Sequence, residues 1–470
     1  MEGMAEELKK KLFNEKKIGW EDTDENEMKN IMEFSNGYIN FLNKGKTERE
    51  FITEAIKMAR NYGFKDLIEY TNLKAGDKVY FINREKSLYL AVIGTDNIEE
   101  KGVHIVGSHV DSPRLDLKPN PLYEDTGLAF LKTHYYGGIK KYQWTTIPLS
   151  MHGVLVKANG EKITVNIGED ENDPIFTITD LLPHLAQDQM QKKLSEGISG
   201  ENLSLLVGSI PFNTEEKISD KVKLNILNIL NQKYGITEAD LVSSELEIVP
   251  QFKARSLGFD SSMVAAYGQD DKVCAYTSLK ALMEIENPKN TAVCILSDKE
   301  EIGSMGNTGM ESHTFDFFMS EILNKLGVNK PNLLEKVFCF SKMLSSDVDA
   351  GYDPLYASVS DRYNAGFLGK GISLNKYTGA RGKSGSSDAN AEYVAWVRNM
   401  LEENAIKYQV AELGKVDIGG GGTIAYIIAN KGADVIDCGV PVLSMHAPYE
   451  VTSKYDVYSA YKTYKAFWTR

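Results

Sequence analysis

Residues 291–306, TAVCILSDKEEIGSMG, open on an unbroken and largely apolar run and end in a polar tip that holds two adjacent glutamates. A short apolar run without alternation is the pattern of a strand buried on both faces. The same layout occurs in GVHIVGSHVDSPR (102–114) and in KVFCFSKMLSSD (336–347), each a predicted strand that runs out into His or Asp. Between them Lys272–Ile285 reads as a helix, so strand and helix alternate from about residue 250 onward. Such alternation predicts an α/β fold, a mostly parallel sheet sandwiched by helices.

Working outward, Phe51, Ile52, Ala55, Ile56 and Ala59 give one apolar helical face, and KVYFINR (78–84) and SLYLAVIG (87–94) read as further strands. Between residues 120 and 250 the texture changes. HGVLVKANGEKITVNIGEDENDP (152–174) alternates as a hairpin does, with a turn at Asn159–Gly160, and residues 185–245 are polar and helix-capable. A chain of 470 residues exceeds one ordinary core. The expectation is therefore a body made of residues 1–119 and 251–470, interrupted by a β-rich inserted domain at 120–250.

Composition narrows the function. A net charge of -13 argues against nucleic acid and anionic membrane as partners, since both are held by clustered Lys and Arg. No apolar run is long enough to cross a bilayer, and the N-terminus lacks the apolar centre of a secretory signal, so a soluble cytoplasmic protein is expected. Cys274, Cys294, Cys339 and Cys438 lie far apart among apolar neighbours and are expected to be reduced and buried. Gly419–Gly422 precedes an apolar helix without a Walker lysine, which points to close backbone approach at a ligand pocket rather than to a phosphate cradle.

Ligands of open α/β sheets gather where the carboxyl ends of strands converge. Five tips in this chain carry suitable groups: His109 with Asp111, Glu300 with Glu301, Asp347, His446 in PVLSMHAPYEV, and Asp270 with Asp271 ahead of a helix. His109 and Asp111 are two apart on a strand and face the same way, so Asp111 can accept a hydrogen bond from the imidazole nitrogen that does not hold a metal. Taken singly, each has an ordinary reading as a surface pair, an acidic loop or a helix cap. Together, two His and three carboxylates form a mixed ligand set that suits zinc, cobalt or manganese. Five ligands exceed what one open tetrahedral zinc requires, whereas two divalent metal ions sharing a carboxylate fit the number.

The segments HIVGSHVDSPRLDLKP, YGQDDKVCAY, LSDKEEIGSMGNTG, SSDVDAGYDP and GVPVLSMHAPYE resemble, in order and spacing, the aspartyl aminopeptidase / aminopeptidase I family of dinuclear zinc metallopeptidases. The resemblance runs from near residue 35 to the end. It implies a zinc-exopeptidase-like body in which His109, Asp270 and Asp347 hold one metal and Asp270, Glu301 and His446 the other, with Asp270 shared. Glu300 would be the general base, and Asp111 the support of His109. The resemblance further implies that the insertion makes dimers, that these assemble into a tetrahedral dodecamer, and that His184, in ITDLLPHLAQ, enters the neighbouring subunit's site to stabilise an oxyanion. Substrates would be peptides with a free N-terminus. Around ISLNKYTGARGKSGSSDANAE the chain departs from the family's eukaryotic pattern; Arg381 or Lys383 could pair with an acidic first residue, and a Gly/Ser-lined pocket could equally take a neutral one.

Two rival readings keep the fold. One is a dinuclear deacylase of N-acyl amino acids, because the same core can serve another amide; the other is a non-catalytic assembly or cargo protein. The remaining histidines, His104, His134, His152 and His313, are expected to be structural.

Overall fold

A computed structural model describes residues 3–14 and 17–470. Its centre is a nine-stranded sheet in the order Lys65–Asp66, Lys78–Asn83, Ser87–Val92, Thr291–Ser297, Val103–His109, Lys342–Ser345, Asp434–Gly439, Ile372–Asn375, Tyr408–Ala411. The four middle strands, 291–297, 103–109, 342–345 and 434–439, are all parallel to one another. The first three lie in the runs without alternation, and the burial explains them: each strand sends successive residues into opposite cores. Val106, Cys294, Leu344 and Ile436 face one core, with the helices Glu25–Leu42, Glu48–Asn61, Gln269–Met283 and Lys454–Thr469. Ile105, Val293, Met343 and Val435 face the other, with Thr314–Lys325 and Leu333–Cys339. The expected α/β sandwich is the architecture found.

A second, six-stranded sheet is made only from residues 114–250, in the order Lys162–Ile167, Leu149–Val156, Ser244–Pro250, Arg114–Asp125, Leu128–Tyr136, Leu205–Gly208, over a core of its own. Its strand Arg114–Asp125 crosses the 119/120 division expected from sequence. A third sheet carries Arg255–Leu257, Met263–Ala266, Glu450–Ser453, Pro441–Leu443 and Asp349–Ala350. Among the described residues no helix is long and apolar enough to cross a membrane.

Two local expectations are corrected. The run 336–347 is not one strand: Leu333–Cys339 is a helix and the strand starts at Lys342, because Leu333 and Val337 are one helical turn apart and both buried, while Phe340 is exposed. That helix end also leaves Cys339 exposed, whereas Cys274, Cys294 and Cys438 are buried; all four are free thiols. Within 185–245 the only long helix is Lys221–Tyr234, closed by Gly235 in the left-handed conformation that favours glycine at a helix C-terminus.

Candidate metal centre

Register places the site. Ser297 pairs with His109 and Ser345 with Gly107, so the chain needs only two more residues beyond Ser345 to bring Asp347 level with His109. Asp270 arrives from the third sheet, where Ala266 pairs with Glu450, four residues after His446. Asp270 opens the helix Gln269–Met283 and is joined to Asp271 by a cis peptide bond. Thus the five tips predicted from sequence converge.

Asp270 is the hub. One carboxylate oxygen lies 3.2 Å from His109 Nε2 and the other 3.2 Å from His446 Nε2. Asp347 Oδ1 is 3.8 Å from His109 Nε2, and Glu301 Oε2 is 3.5 Å from His446 Nε2. Two groups can therefore each hold a cation, His109–Asp270–Asp347 and Asp270–Glu301–His446. Glu300 Oε2 stands 3.8 Å from His109 Nε2. Asp111 Oδ1 lies 3.3 Å from His109 Nδ1, whose nearer partner is the Asp111 carbonyl at 3.0 Å. Both oxygens of Asp111 also accept backbone N–H groups, Oδ1 from Glu300 at 3.1 Å and Oδ2 from Glu301 at 3.2 Å.

The electrostatics show what such a cluster requires. Burial, with the neighbouring acids, pushes Glu300 up to about 7 and holds Glu301 and Asp347 well above the usual carboxylate range. Asp270 is also buried, yet its hydrogen bonds to the two imidazoles outweigh that and hold it low. Burial opposes charge on His446, but Asp270 and Glu301 raise it to about 10. Glu301 Oε1 is buried with no hydrogen-bond partner among the described residues. Crowded carboxylates with an unsatisfied oxygen, two imidazoles and no thiolate suit divalent cations held by nitrogen and oxygen.

Several further supports surround these groups, and of them Asp271 alone had been named from the sequence, as the neighbour of Asp270. Glu450 accepts the backbone N–H of Asp270 at 3.0 Å and that of His446 at 2.7 Å, and Asp271 accepts the N–H of His109 at 3.2 Å. Tyr136 donates to Asp111, and the Gly138 carbonyl meets His446 Nδ1 at 2.7 Å. Glu450 and Asp271 were visible as acids beside proposed ligands; nothing in YYGG (135–138) signals more than a turn.

The centre forms one wall of a cavity of about 480 Å³. Gly420–Gly422, Leu413, Tyr426, Met445 and Asp437 are among the residues that line the rest, which puts the glycine run at a pocket as expected, and among the described residues no Lys or Arg lines it. Arg381 and Lys383 border an adjoining space of about 140 Å³, and Lys383 is already paired with Asp388 at 3.1 Å. His184 lies on the exposed turn Pro183–Leu185 and is not part of either lining. Of the other histidines, His104 is stacked on Phe467, His152 bridges Glu50 and Glu169, and His134 and His313 sit at the surface.

Comparison with known proteins agrees with this geometry. The family model described as aminopeptidase I zinc metalloprotease (M18) matches residues 41–468. A Clostridium acetobutylicum protein described as "Probable M18 family aminopeptidase 1" is 52% identical over 460 residues, 97% of this chain and 98% of that one. The crystal structure of an M18 aminopeptidase from Thermotoga maritima superposes with a TM-score of 0.93 at 46% identity, covering 97% and 99% of the two chains. The Saccharomyces cerevisiae Ape1 dodecamer shares the fold, with a TM-score of 0.76 at 22% identity over 93% and 97%. A zinc-type ligand set at the strand ends and similarity along nearly the whole chain lead to one assignment: the chain belongs to the aminopeptidase I zinc metalloprotease (M18) family.

Proposed function

We propose that this metalloaminopeptidase removes one residue at a time from peptides with a free N-terminus, using two divalent ions, zinc in the first place, with cobalt or manganese as substitutes. The observation that carries the reading is Asp270, whose two oxygens each stand 3.2 Å from a different imidazole, as a carboxylate shared between two ions requires. His109 and Asp347 complete one ligand set, Glu301 and His446 the other. When bound, the ions would supply Lewis-acid polarisation of the scissile carbonyl and acidify the attacking water.

The remaining chemistry belongs to side chains. Glu300 is the general base: it takes the water's proton on a carboxylate oxygen and returns it to the leaving amine. Its backbone N–H is fixed by Asp111, which also holds the outer nitrogen of His109. His184 is the oxyanion donor, supplied by a second copy of the chain. Its position supports this: it sits outside the cavity of its own chain, between Leu182 and Leu185, which are 50% and 69% exposed. Residues 120–250 would then act as the dimerisation and lid domain. Dimers joined into a tetrahedral dodecamer are the proposed assembly, after the dodecameric state of the yeast neighbour, and the cytoplasm the proposed location.

For the first residue of the substrate, the cavity favours a neutral side chain. Leu413, Met445, glycines and the acid Asp437 line it, and the cations Arg381 and Lys383 border the neighbouring space. Rates on Leu, Asp, Glu and Lys aminoacyl anilides test this, with Leu expected to be fastest; a preference for Asp or Glu would return the role to Arg381 or Lys383. Paired free and Nα-acetylated dipeptides test the reaction itself. Hydrolysis of the free peptide alone is expected, and hydrolysis of the blocked one alone would identify a deacylase.

A further inference from the structure

Both imidazoles of the metal centre are braced from behind by three consecutive residues of the second sheet's chain, Tyr136, Gly137 and Gly138. Tyr136 ends the strand Leu128–Tyr136, and its hydroxyl donates to Asp111 Oδ2 at 2.8 Å in a buried contact. The same carboxylate accepts the N–H groups of Glu300 and Glu301 and faces His109 Nδ1. Two residues on, the Gly138 carbonyl lies 2.7 Å from His446 Nδ1. Gly137 passes so close that a side chain there would meet Glu301 Oε2 at 3.3 Å, and its φ of +73° independently favours glycine. The Tyr136 ring is itself clamped, with the Arg114 guanidinium 3.9 Å above it. Arg114 is anchored by Asp116 at 2.8 Å and by Glu48 and Glu247, both at 3.3 Å. Glu247 belongs to the strand Ser244–Pro250 in the middle of the second sheet, and Glu48 begins the helix Glu48–Asn61. An unbroken chain of contacts therefore joins the inner part of the second sheet to ligands of both proposed ions.

An outer hydrogen bond on a ligating imidazole decides which ring nitrogen faces the cation and how the ring is turned. We propose that Tyr136 is a positioning residue for the metal centre, acting through Asp111 on His109, Glu300 and Glu301, while the Gly138 carbonyl sets His446. The second sheet is in this view a structural part of the centre as well as a platform for assembly. The inference rests on the two-metal reading above.

The test uses the 470-residue chain, stripped of metal and titrated with zinc against a chromophoric chelator, as the unsubstituted protein, Tyr136→Phe and Gly137→Ala. Phe keeps the ring under Arg114 and removes only the hydroxyl; a Cβ at Gly137 would press on Glu301 Oε2 at 3.3 Å, in a backbone conformation that favours glycine. Tyr136→Phe is expected to weaken zinc binding roughly 10-fold or more and to lower kcat with KM nearly unchanged. The unfolding midpoint of its metal-free form should stay near that of the parent, while the gain on adding zinc shrinks. Gly137→Ala should weaken binding of the zinc ion assigned to Asp270, Glu301 and His446. Unchanged zinc affinity in Tyr136→Phe, or a loss of stability that is equal with and without zinc, overturns the proposal. If Tyr136→Phe does not fold, Gly137→Ala decides alone, with parental affinity counting against the proposal and weakened affinity for it. Failure of the underlying reading is separately visible, as an unsubstituted chain that binds fewer than two zinc ions.

Discussion

Asp270 presents one oxygen to each of two imidazoles, and Glu300 stands 3.8 Å from one of them without belonging to either ligand group. This division of labour predicts that Glu300→Gln lowers kcat by about 10²- to 10⁴-fold while zinc content, read by atomic absorption, stays at the parental value. Removing metal with a chelator should abolish hydrolysis, and adding back zinc, cobalt or manganese should restore it. His104 gives a stability prediction away from the site. Burial lowers it to about 4 from 6.5, against the hydrogen bond to the Phe467 carbonyl, which raises it. The folded form is therefore neutral where the unfolded chain takes up a proton, so its contribution is complete above 6.5 and lost as pH falls toward 4. Over that range the parent should lose up to about 3 kcal/mol more than His104→Asn in urea unfolding; equal losses would show that the imidazole is not the cause. Four of the five proposed ligands were legible because each follows a predicted apolar run, and Asp270, ahead of a helix, gained its meaning beside them, since each taken singly has an ordinary reading. Tyr136 and Gly138 were not, since a phenol and a carbonyl acquire meaning only when a separate sheet packs against the centre.

Elements explain why the proposed ligands meet. Parallel strands 103–109, 291–297 and 342–345 end at the same edge because their registers align, and the helix Lys454–Thr469 packs across the sheet behind them. Phe467 and Trp468 in that helix are fully buried, and the Trp468 indole donates to the His104 carbonyl at 2.9 Å. Phe467→Ala should cost about 3–5 kcal/mol, measured by denaturant unfolding of the metal-free protein. A cost below about 1 kcal/mol would mean that this helix does not help to set the sheet. The middle strands could be read from sequence because burial on both faces removes alternation. The segment 333–340 could not, since Leu333, Val337 and Phe338 are apolar at spacings that serve a short buried helix as well as a strand. The full extent of the second sheet was obscured at Arg114–Asp125, whose first residues continue directly from the His109–Asp111 tip.

At the scale of the molecule the open question is how a complete site is assembled. If His184 acts in the neighbouring subunit, His184→Phe and Glu300→Gln should each be nearly inactive alone. Mixed and reassembled, they should recover activity, because a partner carrying Glu300→Gln still offers His184 to a site whose own Glu300 is intact. Absence of recovery in verified mixed assemblies would remove the cross-subunit role. The leucines beside His184 are legible as apolar residues in a polar stretch, and their exposure became visible only in the folded chain. The claim on which everything else stands is the pair of ions sharing Asp270. Anomalous scattering at the zinc edge from crystals of the zinc-loaded protein tests it most directly. Two peaks about 4 Å apart, one among His109, Asp270 and Asp347 and one among Asp270, Glu301 and His446, are the predicted result; a single peak, or peaks away from Asp270, would contradict it.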